Sequence, residues 1–163
     1  MLITKIKLKR QPWEVFISYT IPHPNSKTGL QDIDLSCKEE PRSQFPNKLD
    51  TLLPIVINAI GLDADAWEKG EVIGLSLKHC DDGIGVTITA KCQIGNLFAC
   101  PTTPYISPDA MGNFENLDKQ IMEVIQEAIL YINGERMPLP LFDQSNQNSG
   151  GLTVLYQGKL GGG

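Results

Sequence analysis

Residues 72–94 read VIGLSLKHCDDGIGVTITAKCQI, and this stretch decides the fold class. Two alternating runs, 72–80 and 86–94, flank Asp81, Asp82 and Gly83. A period of two marks a strand with one wet face, and an acidic, glycine-bearing cluster between two such runs signals a hairpin. The connection is expected to exceed the minimal two-residue loop. Val86, Ile88, Ala90 and Cys92 fall on one face of the second run. Strands joined directly by a turn are antiparallel, because a parallel pair needs a long crossover. Residues 97–100, LFAC, read as a short further strand.

Toward the N-terminus the same period recurs. Residues 3–9 alternate, with Lys5, Lys7 and Lys9 opposite Ile6 and Leu8. WEVFISYTI at 13–21 sets Trp13, Val15, Ile17 and Tyr19 on one face. Phe16 lies on the other, which is therefore expected to be partly covered. PHPNSKTG at 22–29 is a loop. LQDIDLSC at 30–37 turns Ile33, Leu35 and Cys37 one way and Asp32, Asp34 and Ser36 toward water.

The period then changes. In 39–62, EEPRSQFPNKLDTLLPIVINAIGL, the residues Phe45, Leu49, Leu52, Leu53, Val56, Ile57 and Ile60 recur at helical spacing. Ser43 is the candidate N-cap, with Pro46 in the first turn. Pro54 should kink or divide the helix, and Gly61 should end it. An acidic connection follows at 62–70. Beyond the hairpin, CPTTPYISPDAMGNF at 100–114 is a proline-punctuated loop. A second helix is expected over 116–132, with Leu117, Ile121, Val124, Ile125, Ala128, Ile129 and Ile132 as its apolar stripe and Asn133-Gly134 as its end.

The order βββ-α-ββ(β)-α predicts an α+β fold: an antiparallel or mixed sheet of about five to six strands with two main helices packed on one face. A doubly wound sheet would need regular βα alternation. Residues 1–142 form a single domain in this reading. Residues 143–163 are a polar linker (DQSNQNSGG), a strand-like arm (LTVLYQ) and a flexible glycine terminus.

The chain has 163 residues, 41% hydrophobic and 20% charged, which is ordinary globular composition. No stretch approaches the ~18 apolar residues of a membrane span. The start, MLITKIKLKRQPW, lacks the apolar run of a signal peptide, so the product is expected to stay where it is made. The net charge of −5 argues on electrostatic grounds against a general double-stranded DNA binder. Cys37, Cys80, Cys92 and Cys100 contain no CxxC pair and read as small hydrophobes.

No nucleotide-loop, zinc-protease, hydrolase-elbow or calcium-loop motif is present. No cofactor or metal is expected. A metal or nucleophile site would have to be built from His79, Cys80 and Asp82, with a carboxylate such as Glu39, yet adjacent strand residues point to opposite faces. Binding signals are better. Lys5, Lys7, Lys9 and Arg10 cluster at the start, either as an anion-facing stripe or as the blocked edge of a sheet. Exposed Phe16 or Tyr105 could stack on a base. Thr102 and Thr103, with backbone N–H groups between Pro101 and Pro104, could hold a phosphate. The candidate ligand-binding residues are Lys5, Lys9, Thr102, Thr103 and Tyr105.

WEVFISYTI, LSCKEEPRSQF, VIGLSLKHCDDGIGVTITA, the TP-containing loop and AILYINGER together resemble a family of small uncharacterised bacteriophage and prophage proteins, over about residues 3–142. The resemblance brings no family activity. It implies a phage accessory protein in the cytoplasm of a bacterial host, one that binds a host protein or sequesters a nucleotide-like signal. Self-association is expected, with the strand-like arm as one means. Single-stranded nucleic-acid binding and a small metal-dependent hydrolase are the alternatives. A structural virion component is a further one.

Overall fold

The computed structural model describes residues 1–61, 63 and 69–138. The 143–163 extension, and Trp67 in the acidic connection, lie outside the described residues. Six strands form one sheet: β1 (Leu2–Lys9), β2 (Glu14–Pro22), β3 (Leu30–Cys37), β4 (Lys69–Cys80), β5 (Gly83–Ile94) and β6 (Leu97–Ala99). Their spatial order is β3-β2-β1-β4-β5-β6, and every pairing is antiparallel. The helices α1 (Gln44–Asp50), α2 (Leu53–Ala59) and α3 (Leu117–Ile132) supply the other layer. This is the expected α+β architecture, antiparallel throughout rather than mixed. Among the described residues no helix is long and apolar enough to cross a membrane.

The first helical run is divided rather than merely kinked. α1 ends at Asp50 and α2 begins at Leu53, which puts Pro54 in a first turn, where its missing N–H is harmless. Ser43 stands at the N-cap of α1 but makes no capping bond, because its backbone is already helical (φ −57°, ψ −27°). Gly61 ends α2 at φ +75°, a conformation suited to glycine.

The hairpin between β4 and β5 is tighter than the sequence suggests. Cys80 pairs with Gly83, so the loop is only Asp81-Asp82, and Gly83 at φ +140° lets the ladder begin there. A 3₁₀ segment, Pro108–Asn113, sits in the loop read as irregular; Ser107 caps it by accepting a bond from the Ala110 N–H.

Two bulges set which side chains enter the core. The β1–β2 register shifts between Ile3 and Lys5, so Ile3 and Ile6, three positions apart, both turn inward. The extra residue, Thr4, bonds the Ser18 carbonyl at 3.1 Å. His79 Nε2 lies 2.6 Å from the Ile3 carbonyl and clamps the same bulge. A second shift, between Val72 and Gly74, brings Val72 and Leu75 to the core together.

The core joins Ile6, Leu8, Val15, Ile17, Leu75 and Ile88 of the sheet to Phe45, Leu49, Val56, Leu117, Ile121 and Val124 of the helices. Each such side chain contributes about 1.5–3 kcal/mol relative to exposure. Tyr131, absent from the apolar stripe read from the sequence, is buried as well. It meets Phe45 edge-on at 6.0 Å and donates its hydroxyl to the Glu39 carbonyl at 2.7 Å.

Cys92 is buried, and desolvation first, with Cys100 adding to it, pushes its thiol from 9.0 up to about 11. The folded state therefore holds this proton more tightly than the unfolded chain. The resulting stability is complete below about pH 9 and is lost as pH rises toward 11, by roughly 2–3 kcal/mol. Urea titrations at pH 8 and pH 10.5 should show about 2 kcal/mol of this loss, and Cys92→Val should remove that share.

Candidate ligand-binding face

The described α-helices pack on one side, and among the described residues no helix covers the other face of the sheet. Its central residues follow from the register. Lys5 pairs with Ser18 of β2 and Ser76 of β4, Lys7 with Phe16 and Gly74, and Lys9 with Glu14. On β4 and β5, Gly74 pairs with Thr89 and Ser76 with Thr87, and Thr89 bridges to Thr102. One row across the face thus runs Ser36, Phe16, Lys7, Gly74, Thr89, Thr102.

Gly74 opens this row. It has no side chain, so a trough of about 970 Å³ forms over it, walled by Lys5, Lys7, Phe16, Ser76, Thr87 and Thr89. A Cβ at Gly74 would meet nothing closer than 3.6 Å, so the space above is real and an alanine fits it.

The trough is basic on an acidic protein. Lys5, Lys7, Lys9, Arg10 and Lys91 line it against Glu14 and Glu71, five cations less two carboxylates, whereas the whole chain is −5. Arg10 is already committed. It binds Asp50 through two bonds of 2.8 and 2.9 Å, reaches the Val72 carbonyl at 3.2 Å, and sets Nε 3.3 Å from Glu71 Oε2. Among the described residues, Lys5, Lys7 and Lys9 have no carboxylate at ion-pair distance. Lys91 rests 5.7 Å from the Phe98 ring.

The hydroxyls Ser76, Thr87, Thr89 and Thr102 border the lysines. Thr89 and Thr102 bond each other at 3.0 Å; neither bonds a carboxylate or an imidazole. The outer strand β3 is acidic: Asp32 and Asp34 are exposed on this face, and Asp34 accepts a bond from Ser18 Oγ at 2.6 Å.

The residues singled out from the sequence part company here. Lys5, Lys9 and Thr102 line the trough. Thr103 does not: it is 3% exposed, its hydroxyl accepts the Ile88 N–H at 3.0 Å, and its own N–H donates to the Ile88 carbonyl at 2.9 Å. The loop after β6 is sewn along β5, with the Ile106 N–H also bonded to the Val86 carbonyl, so the Thr103 amide is not open to a phosphate. Thr103→Val should strand the buried Ile88 N–H and lower stability by about 1–3 kcal/mol in chemical denaturation.

Tyr105 is exposed but stands beyond the trough, at the hairpin end. Its ring covers Gly85, where a Cβ would lie 1.9 Å from the hydroxyl, and Lys78 Nζ lies 5.9 Å from its centroid.

The groups weighed for metal or nucleophile chemistry are dispersed. His79 bonds the β1 bulge, Cys80 Sγ lies 3.9 Å from the Tyr105 hydroxyl, and Glu39 pairs with Arg136 Nε at 2.8 Å. Among the described residues no three His, Cys, Asp or Glu side chains gather to hold a metal ion.

Phe16, offered as a stacking residue, lines the trough; Gly74, Ser76, Thr87, Thr89 and Lys91 belong to it as well and were not among the ligand-binding candidates. The outward positions of the 86–94 strand carried the signal for Thr87, Thr89 and Lys91. Cys37 is a separate polar cluster: desolvation raises its thiol, but hydrogen bonds from Tyr131, the Glu39 backbone and Arg136 outweigh it, and the net direction is down. The chain matches no family model, no curated protein and no solved structure in comparisons with known proteins.

Proposed function

We propose that this protein is a non-enzymatic accessory protein, carried by a phage or prophage, that binds a nucleotide-like phosphate ligand on the open face of its sheet and sequesters it by holding it. The single observation that carries this is the row Lys5, Lys7 and Lys9, which has no carboxylate at ion-pair distance among the described residues and stands beside a glycine-floored trough. Ammonium groups left without counter-charges in a concave, hydroxyl-lined site favour an anion with several oxygen acceptors. The trough is near the upper end of small-ligand sites, about 300–1,000 Å³. Large apolar side chains are few on it, chiefly half-buried Phe16 and Ile73, which argues against its use as a dry protein interface.

Isothermal titration with ATP and with a cyclic dinucleotide tests this reading. Saturable binding that weakens with salt and with Lys7→Glu is expected. Heats that saturate equally in the Lys7→Glu protein would refute it.

A second reading, contact with a second copy or a host protein, is favoured by one observation. Strand β6 ends the sheet with Leu97 74% and Phe98 68% exposed, on an edge with no strand partner among the described residues. If that edge self-associates, sedimentation should show a dimer that Leu97→Lys with Phe98→Glu converts to monomer.

A further inference from the structure

We infer that the ligand of the open face is single-stranded nucleic acid laid along β1; this rests on the phosphate-binding reading of that face and narrows it from a nucleotide to a strand. Three features separate the two. The first is the geometry of the cations. Lys5, Lys7 and Lys9 do not converge on one point; they follow each other at every second residue of a strand, so their anchor points repeat at about 6.6 Å over roughly 13 Å. A compact phosphate group can engage part of such a row, whereas a chain of phosphates can engage all of it.

The second feature is that, among the described residues, no convergent backbone phosphate cradle stands on this face. Phosphate sites built on backbone use amides at a helix start or in a glycine loop. The amides of β1, β2, β4 and β5 are engaged in the ladders, and the helices occupy the opposite layer. Side chains carry the recognition here, which is how single-strand grooves track a backbone.

The third feature is what stands on each side of the lysines. Toward β2, Phe16 pairs with Lys7 and presents an aromatic beside the cation row, as a stacking platform requires. One strand further out, about 10 Å from β1, the face turns acidic at Asp32 and Asp34. A duplex, whose grooves alone are about 6 and 12 Å wide, would bring its second strand of phosphates over those carboxylates. A single strand confined to β1 avoids them. Toward β4 and β5 the hydroxyls of Ser76, Thr87 and Thr89 are placed to meet phosphate or sugar oxygens.

The experiment is fluorescence anisotropy of the full chain with labelled (dT)20, with a 20-base-pair duplex, and with ATP as competitor, across a range of salt. (dT)20 should bind at least tenfold more tightly than the duplex. The log–log salt slope should be about −2, as three phosphate contacts on a single strand imply. Phe16→Leu should weaken (dT)20 roughly tenfold while leaving the slope unchanged. Lys7→Gln should reduce the slope by about 0.7. Unchanged circular dichroism and melting temperature show that either variant folds. If (dT)20 binds no tighter than ATP, yet ATP binding is lost in Lys7→Gln, the strand inference is overturned and the phosphate reading stands. Equal affinity for duplex and single strand overturns the inference as well. Failure of both ATP and (dT)20 to bind overturns both.

Discussion

Replacing Lys5, Lys7 and Lys9 together by glutamate should abolish ligand binding without unfolding the protein. Lys7 and Lys9 are exposed, Lys5 is half-buried, and none of the three is in an ion pair among the described residues. The cross-strand neighbours of Lys5 and Lys7, namely Ser18, Ser76, Phe16 and Gly74, are uncharged, whereas Lys9 faces Glu14, so a glutamate at position 9 adds one like-charge pair at a cost of roughly 0.2–1 kcal/mol. Each exposed charge contact to a ligand is worth up to about 1 kcal/mol, so three together give about 3 kcal/mol, or roughly 100-fold in affinity, before the added repulsion. Binding titration and thermal melting on the same sample separate the two effects: the affinity collapses while the melting temperature stays within a few degrees. Gly74→Ala refines the result. It leaves every charge in place and raises the trough floor by one methyl, so any loss of binding there reports shape alone.

The second large effect is on stability. Asp50 of α1 accepts two bonds from Arg10 and a third, at 3.1 Å, from the Val72 N–H at the bulge of β4. One carboxylate thus ties a helix to the end of β1 and to the irregular point of the neighbouring strand. Asp50→Ala leaves the guanidinium and the amide without that acceptor. Charge-assisted bonds contribute about 1.5–3 kcal/mol each, but the Asp50 side chain is 35% exposed and water replaces part of the loss. Urea denaturation should show a fall of about 2–3 kcal/mol. Asp50→Asn, which keeps two carbonyl-type acceptor directions, should lose about half as much.

The fold was largely legible because its signals are local. The alternation in 3–9, 13–21, 30–37 and 86–94 needs only the two-residue period, and Pro54 and Gly61 act within their own turns. What escaped depends on distant partners. The bulge that turns Ile3 inward is stabilised by His79, 76 residues away. The tightness of the Asp81-Asp82 turn depends on Gly83 adopting a positive φ within a ladder that continues on both sides. Tyr131 was left off the helical stripe, yet it is buried against Phe45 and Glu39, which come from the other end of the domain.

The candidate site was legible in part for the same reason. Three lysines on one face of a strand are a local pattern, and the trough confirms only their common side. Whether that side is bare depends on where the helices pack. Thr102 and Thr103 were read together as loop residues, but the loop runs extended along β5, and extended neighbours point opposite ways. Thr102 therefore meets Thr89 on the open face while Thr103 enters the core. Gly74 carries no signal of its own in the sequence; its role emerges only when Lys7 and Thr89 are set on either side of it.

The measurement that tests the central claim most directly is an amide-resolved NMR titration of the full chain with ATP at millimolar concentration, which reports even weak occupancy. The account predicts shifts concentrated at Lys5, Lys7, Gly74, Ser76, Thr87 and Thr89, with Leu97, Phe98, Cys37 and Tyr131 unmoved. Shifts confined to the β6 edge or to the Cys37–Tyr131 cluster, with the lysine row silent, would contradict it.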